Sequence, residues 1–219
     1  MPSAASLEIR ECGYIIRTHR LSDTSIIVEW LTQNQGRVAT VARGALRKKS
    51  ALAGKLDLLF HAAISYRRSR RSDLHQLKEV SLLSTPVKLR RSISRLNQVA
   101  YFVDLIRRST EADTPVPEIY ELFHRAITLA EGAKLGPNFI LWFEWKLLDQ
   151  LGIQPTFSDR TAPDQLRQLL HYWNQTDEAD VDMLKQIELP PQLASILGHA
   201  WIQEIGKCPK LRGPLLSGL

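Results

Sequence analysis

The sequence predicts an α+β protein in two parts, a five-stranded β-barrel over residues 1–85 and an all-helical domain over residues 86–219. Three observations carry this expectation. Apolar residues alternate with a period of two up to about residue 85, and recur at three- and four-residue spacings after Pro86. β-Branched residues gather in three short runs, at 13–18, 25–32 and 37–43. The charge also divides: residues 1–95 hold 18 basic and 7 acidic side chains, a net of +11, whereas residues 96–219 hold 11 and 16, a net of −5.

The strands are read in order. GYIIRT at 13–18 alternates around β-branched residues, SIIVEWLT at 25–32 is a second such run, and RVATVAR at 37–43 a third. Gln33, Asn34, Gln35 and Gly36 join the second and third as a short polar hairpin connection whose glycine can take positive φ. GALRKKSALAGK at 44–55 loses the period of two and suits a loop with a short helical turn. LLFHAAISYRR at 58–68 and LHQLKEVSLL at 74–83 then supply two strands around the basic tip RRSRRSD. Five strands with an interruption between the third and fourth suit a small closed barrel of the OB type, with an SH3-like barrel as the alternative.

Helices follow. Leu89, Ile93, Leu96, Ala100, Val103 and Ile106 form one stripe on a helix over 87–109. TEADTPVP is a polar, proline-bearing break, after which Ile119, Leu122, Phe123, Ala126 and Leu129 repeat the spacing as far as Gly132. The stretch 138–151 is apolar nearly all round, as the centre of a bundle would be. Segments 164–173 and 191–205 are amphipathic.

With 219 residues, 44% of them hydrophobic and 24% charged, the chain can bury a core without disulfide or metal staples. Cys12 and Cys208 stand far apart and in no ligand-spaced motif, so a reducing cytoplasm is expected. No leader pattern opens the sequence, and the apolar run FILWFEWKLL at 139–148 is broken by Glu144 and Lys146, so no membrane association is expected.

Catalytic motifs are missing: the sequence has no GxSxG, no GxxxxGK[ST], no GxGxxG and no HExxH. The six histidines are scattered. The run TDEADVDM at 176–183 spaces its acids as a calcium loop does, but Met183 takes the place of the required glycine and Leu189 that of the closing glutamate. Four of the five tryptophans lie on helical stripes and are expected in the core, and Trp30 is expected to pack inside the barrel rather than stack on a base.

Basic clusters are the feature left to explain. Between residues 37 and 91 there are 14 basic and 3 acidic side chains, concentrated at Arg47, Lys48 and Lys49 and at Arg67, Arg68, Arg70 and Arg71. Such clusters in a small strand-rich domain point to a polyanion, because cations beside phosphates release condensed counterions. Arg37, Arg43, Arg47, Lys48, Lys49, Lys55 and the four arginines of the tip are the candidate nucleic-acid-binding residues.

The stretch from GYIIRT through SIIVEWLT, the glycine turn and the Val-Ala-x-Gly-Ala segment with its basic follow-on resembles the amino-terminal domain of the RecO family of bacterial recombination mediators. FEWKLLDQLGIQP at 143–155 is similar to that family's helix ending in Leu-Gly-x-x-Pro, and CPKLRGPLLSG to its closing segment, so the resemblance spans residues 7–216. It implies a non-enzymatic, cytoplasmic and nucleoid-associated DNA repair protein. Such a protein binds single- and double-stranded DNA, anneals complementary strands and, with RecR, helps RecA replace single-strand-binding protein. It also implies a helical half that receives that protein's acidic tail, for which Arg125, Lys134, Lys146 and Arg160 are the candidate cations. Many members carry a four-cysteine zinc site after the Leu-Gly-x-x-Pro turn. This chain reads TFSDRTAPDQL there, so no zinc and no other cofactor is expected. The alternatives are an RNA-binding barrel protein of translation or ribosome assembly, a protein-binding scaffold and a metal-dependent nuclease.

Overall fold

The computed structural model describes residues 8–155, 164–175, 184 and 187–217. Five strands, β1 (Glu8–Arg20), β2 (Ile26–Thr32), β3 (Gly36–Ala42), β4 (His61–Arg67) and β5 (Leu74–Ser84), close into a barrel in the order β1-β2-β3-β5-β4. The contact between β3 and β5 is parallel and all others are antiparallel, which is the OB-type connection.

β1 is longer than the alternation at 13–18 indicates because it serves two partners. Its first half pairs with β4 and its second with β2, with a bulge between Ile15 and Arg17 that bends it from one to the other. Alternation sends Val38, Thr40 and Ala42 of β3 inward, and Val28, Trp30, Ile64, Tyr66 and Leu77 complete the core with them. Trp30 is fully buried and its Nε1–H donates to Thr40 Oγ1 at 2.9 Å, so its place in the core is fixed by a hydrogen bond as well as by area.

The helices are α1 (Val87–Arg90), α2 (Ile93–Ser109), α3 (Pro117–Gly132), α4 (Pro137–Gln150), α5 (Asp164–Gln175), α6 (Leu193–Ile205) and α7 (Arg212–Leu216). The single helix expected over 87–109 is interrupted at Arg91 and Ser92. Ser92 restarts it, its Oγ accepting from the Arg95 N–H at 3.4 Å and its carbonyl from the Leu96 N–H at 2.9 Å. α4 buries every residue from Phe139 to Leu148, which makes it the centre of the helical core. Its end follows from Gly152, whose φ of +70° lets the Ile153 N–H reach back to the Leu148 carbonyl at 3.0 Å. α5 buries Leu166, Leu169, Leu170 and Trp173, the stripe its sequence predicts.

By packing, the chain divides into a first unit of Met1–Pro86 and Thr110–Glu121 and a second of Val87–Ser109 and Leu122–Leu219. A sequence boundary at residue 85 does not anticipate the return of Thr110–Glu121 to the barrel. That segment, with its proline-bearing break, is a strap. The Asp113 N–H donates to the Arg37 carbonyl at 2.8 Å, and Arg37 and Ala112 form a parallel bridge. At its far end Tyr120 OH meets His61 Nε2 at 2.8 Å, beside Tyr14 stacked on His61 at 4.4 Å. Gly36 makes the strap possible: its φ is +67°, and a Cβ there would stand 1.8 Å from the Thr114 carbonyl oxygen.

Within the second unit, Glu144 is fully buried and is the acceptor for Arg212, at 2.9 Å for both Nε and Nη2, and for the Tyr101 hydroxyl. This ion pair ties α7 to α4.

Candidate nucleic-acid interface

Arg43, Arg47, Lys48 and Lys49 follow β3 and are exposed, as are Arg67, Arg68, Arg70 and Arg71 around the β4–β5 tip. The first group sits on a run of short turns. Arg47 N–H donates to the Gly44 carbonyl at 3.1 Å, Ser50 N–H to Arg47 at 3.0 Å and Ala53 N–H to Ser50 at 3.1 Å, so the cations are presented on tight turns rather than on a helix. Small residues permit this winding, and Leu52 and Leu56 anchor it on the barrel core. Leu46 N–H donates to the Thr24 carbonyl at 3.0 Å, which binds these turns to the β1–β2 loop.

Register separates the two groups. Ala39 pairs with Leu74 in the parallel ladder, so the β4–β5 turn runs from the middle of β3 towards its beginning, while Arg43 follows its end and Arg67, across from Gln76, stands level with Val41. The span from Ala39 to Ala42 alone is about 10 Å of strand. Arg70 and Arg71 on the turn therefore lie towards the beginning of β3 and Arg43 beyond its end, and one ligand touching both runs along the barrel wall.

Two candidates are differently placed. Arg37 is held at Nη1 by Glu29 at 2.6 Å and at Nε and Nη2 by Thr110, and its side chain is 15% exposed. It clamps the strap and is not presented to a ligand. Lys55 is half-buried and donates from Nζ to the Val80 carbonyl at 3.3 Å. Conversely, Arg17 and Arg20 on β1 are exposed, although neither belongs to a basic cluster in the sequence. Arg20 lies across from Ile26, which pairs with Ala42, so it shares an end of the barrel with Arg43, and Asp23 holds it at 3.0 Å. Only the strand register reveals that neighbourhood.

In the second unit, Arg125 is half-buried on α3 and Lys134 is exposed on the α3–α4 connection. Lys146 is 3% exposed within α4, where no docking partner can reach it. Arg160 and the acidic run at 176–183 lie outside the described residues. Among the described residues there is no group of three or more His, Cys, Asp or Glu placed to hold a metal, and no helix long and apolar enough to cross a membrane.

Comparison with known proteins accounts for both units. The family description "Recombination protein O N terminal" matches residues 6–86, and "Recombination protein O C terminal" matches residues 90–197. A protein named DNA repair protein RecO from Rhodopirellula baltica is 31% identical over 141 residues, 64% of this chain and 52% of that one. Its namesake from Bacillus cereus is 29% identical over 147 residues, 66% of this chain and 58% of that one. The namesake from Syntrophus aciditrophicus is 24% identical over 143 residues, covering 65% and 55%. The chain thus matches a little over half the length of these relatives. With a closed five-stranded barrel under the first match and a helical core under the second, the chain belongs to the RecO family.

Proposed function

We propose that this protein is a non-enzymatic DNA-binding recombination mediator that acts in DNA repair in the bacterial cytoplasm, at the nucleoid. The observation that carries this reading is the pair of exposed cation clusters, one following β3 and one around the β4–β5 turn, on an OB-type barrel. Arg43, Arg47, Lys48 and Lys49 with Arg67, Arg68, Arg70 and Arg71 hold phosphates of single- or double-stranded DNA, with Lys55 at the margin. Arg37 is left out because Glu29 and Thr110 already occupy its guanidinium.

Phosphate contacts position a strand and carry no base information, so binding is sequence-independent. Neutralising two strands on one wall lowers their repulsion while their bases stay free to pair, and annealing then needs no bond to be broken by the protein. RecR, RecA and single-strand-binding protein are the partners this role requires. Arg125 and Lys134 are the cations left on the helical unit for an acidic tail.

The test is an annealing assay with two complementary labelled strands, bare and coated with single-strand-binding protein. Acceleration of both, with no cleavage when magnesium is present, is the expected result. Equal rates with and without the protein contradict the reading, and magnesium-dependent cleavage replaces it with a nuclease.

A further inference from the structure

The β4–β5 tip carries four arginines within residues 67–71, and like charges this close favour an open, disordered loop. The tip is nevertheless pinned from beneath. His75 is 2% exposed, stacked parallel on Tyr66 with ring centroids 5.4 Å apart. Its Nδ1 accepts the Ser69 N–H at 3.3 Å, and its Nε2 meets Asp113 Oδ1 of the strap at 3.1 Å. Since Ser69 N–H is a donor, Nδ1 must present its lone pair, so the ring proton sits on Nε2 and is donated to Asp113. One tautomer satisfies both ends. Ser69 in turn organises the tip: its Oγ accepts the Arg71 N–H at 3.2 Å and pairs with Ser72 Oγ at 3.3 Å.

We infer that His75 is a positioning residue for DNA binding: the chain Asp113–His75–Ser69 holds the arginine tip in the shape in which it meets phosphates, and so couples the strap to the DNA-binding surface. The inference rests on the proposed reading that the tip contacts DNA. His75 touches no ligand itself.

Two near-isosteres separate this from a merely structural role. In His75→Asn the amide reaches about as far as Nδ1 and can still accept from Ser69; in His75→Gln it reaches about as far as Nε2, keeping Asp113 and losing Ser69. Both are polar, and on bulk alone glutamine is the better fit. Trypsin cleaves after arginine and so reads the opening of the tip directly. The expected result is that His75→Gln raises the rate of tryptic nicking at the tip and weakens the binding of a labelled single strand, each about tenfold, the factor for one lost part-buried hydrogen bond. His75→Asn stays within about threefold of the parent in both, as retention of that bond requires. On the unmodified chain, nitrogen NMR should place the ring proton of His75 on Nε2, and the Ser69 amide should exchange at least about tenfold more slowly than those of Arg68 and Arg70.

Equal nicking in the two variants overturns the inference. So does unprotected Ser69 in the parent, which decides the matter even where neither variant folds. Faster nicking in His75→Gln with unchanged affinity overturns the coupling to DNA while the proposed function stands; a parent chain that binds no DNA overturns both.

Discussion

Replacing Arg212 by alanine tests the buried ion pair that fastens the last helix of the second unit. Glu144 is fully buried, and among the described residues its carboxylate accepts from Nε and Nη2 of Arg212, each at 2.9 Å, and from the Tyr101 hydroxyl. Arg212 also donates to the Ala194 carbonyl at 2.7 Å, and its side chain is 14% exposed. Removing it strands a carboxylate in the core, for which about 3 to 5 kcal/mol is the expected loss. Burial pushes the Glu144 carboxyl above its ordinary range, and Arg212 is the main influence drawing it back. The variant's Glu144 therefore binds its proton more tightly still. A native state that holds a proton the unfolded state releases loses stability as pH rises up to its own folded pKa. The parent's Glu144 is raised and the variant's is raised further, so the deficit should be smallest at acid pH and should grow as pH rises beyond the parent's value. Urea unfolding followed by tryptophan fluorescence suits the measurement, since Trp142, Trp145, Trp173 and Trp201 all lie in the second unit. Adding Glu144→Gln to the variant should restore part of the loss at neutral pH. A deficit below about 1 kcal/mol, or one that does not change with pH, would refute the claim that Glu144 is a charge compensated by Arg212.

Trp30→Phe should lower stability by about 1 to 2 kcal/mol through the lost bond to Thr40, and should leave DNA affinity unchanged because no base stacks on a fully buried ring; a large loss of affinity in a folded variant would reverse that assignment. Gly36→Ala should cost at least about 2 kcal/mol and expose the strap to proteolysis, since the new Cβ collides with the Thr114 carbonyl at a positive φ; a parent-like melting temperature would show that the strap adjusts freely. Elemental analysis should find no stoichiometric zinc, and chelator should leave the melting temperature alone, because zinc needs about four ligands and this chain has two cysteines far apart; one zinc per chain would contradict this.

The barrel is legible in the sequence because each strand states its inner face by alternation, as Val38, Thr40 and Ala42 do. Helix α4 is legible for the opposite reason, apolar residues on every side. The strap is not legible: Thr110–Glu121 docks through main-chain bonds at Arg37 and through Tyr120, and a polar segment with two prolines carries no periodic sign of a docking partner. For the same reason Arg37 reads as one more cation in a basic stretch, although Glu29 and Thr110 enclose it. The grouping of Arg20 with Arg43 depends on the pairing of Ile26 with both Arg20 and Ala42, which no local pattern announces. Lys146 has the opposite fault: its charge suggests a surface, while its neighbours on α4 bury it.

The most direct test of the central claim is the salt dependence of single-strand affinity in the full chain and in Arg47→Ala/Lys48→Ala/Lys49→Ala. Some 4 to 8 phosphate contacts predict a slope of log K against log salt of about −3 to −6 for the parent on a single strand, and removal of three exposed cations should flatten it by about 2 while weakening all sequences alike. A parent slope near zero, or a triple variant that binds as the parent does with the same slope, would contradict the account.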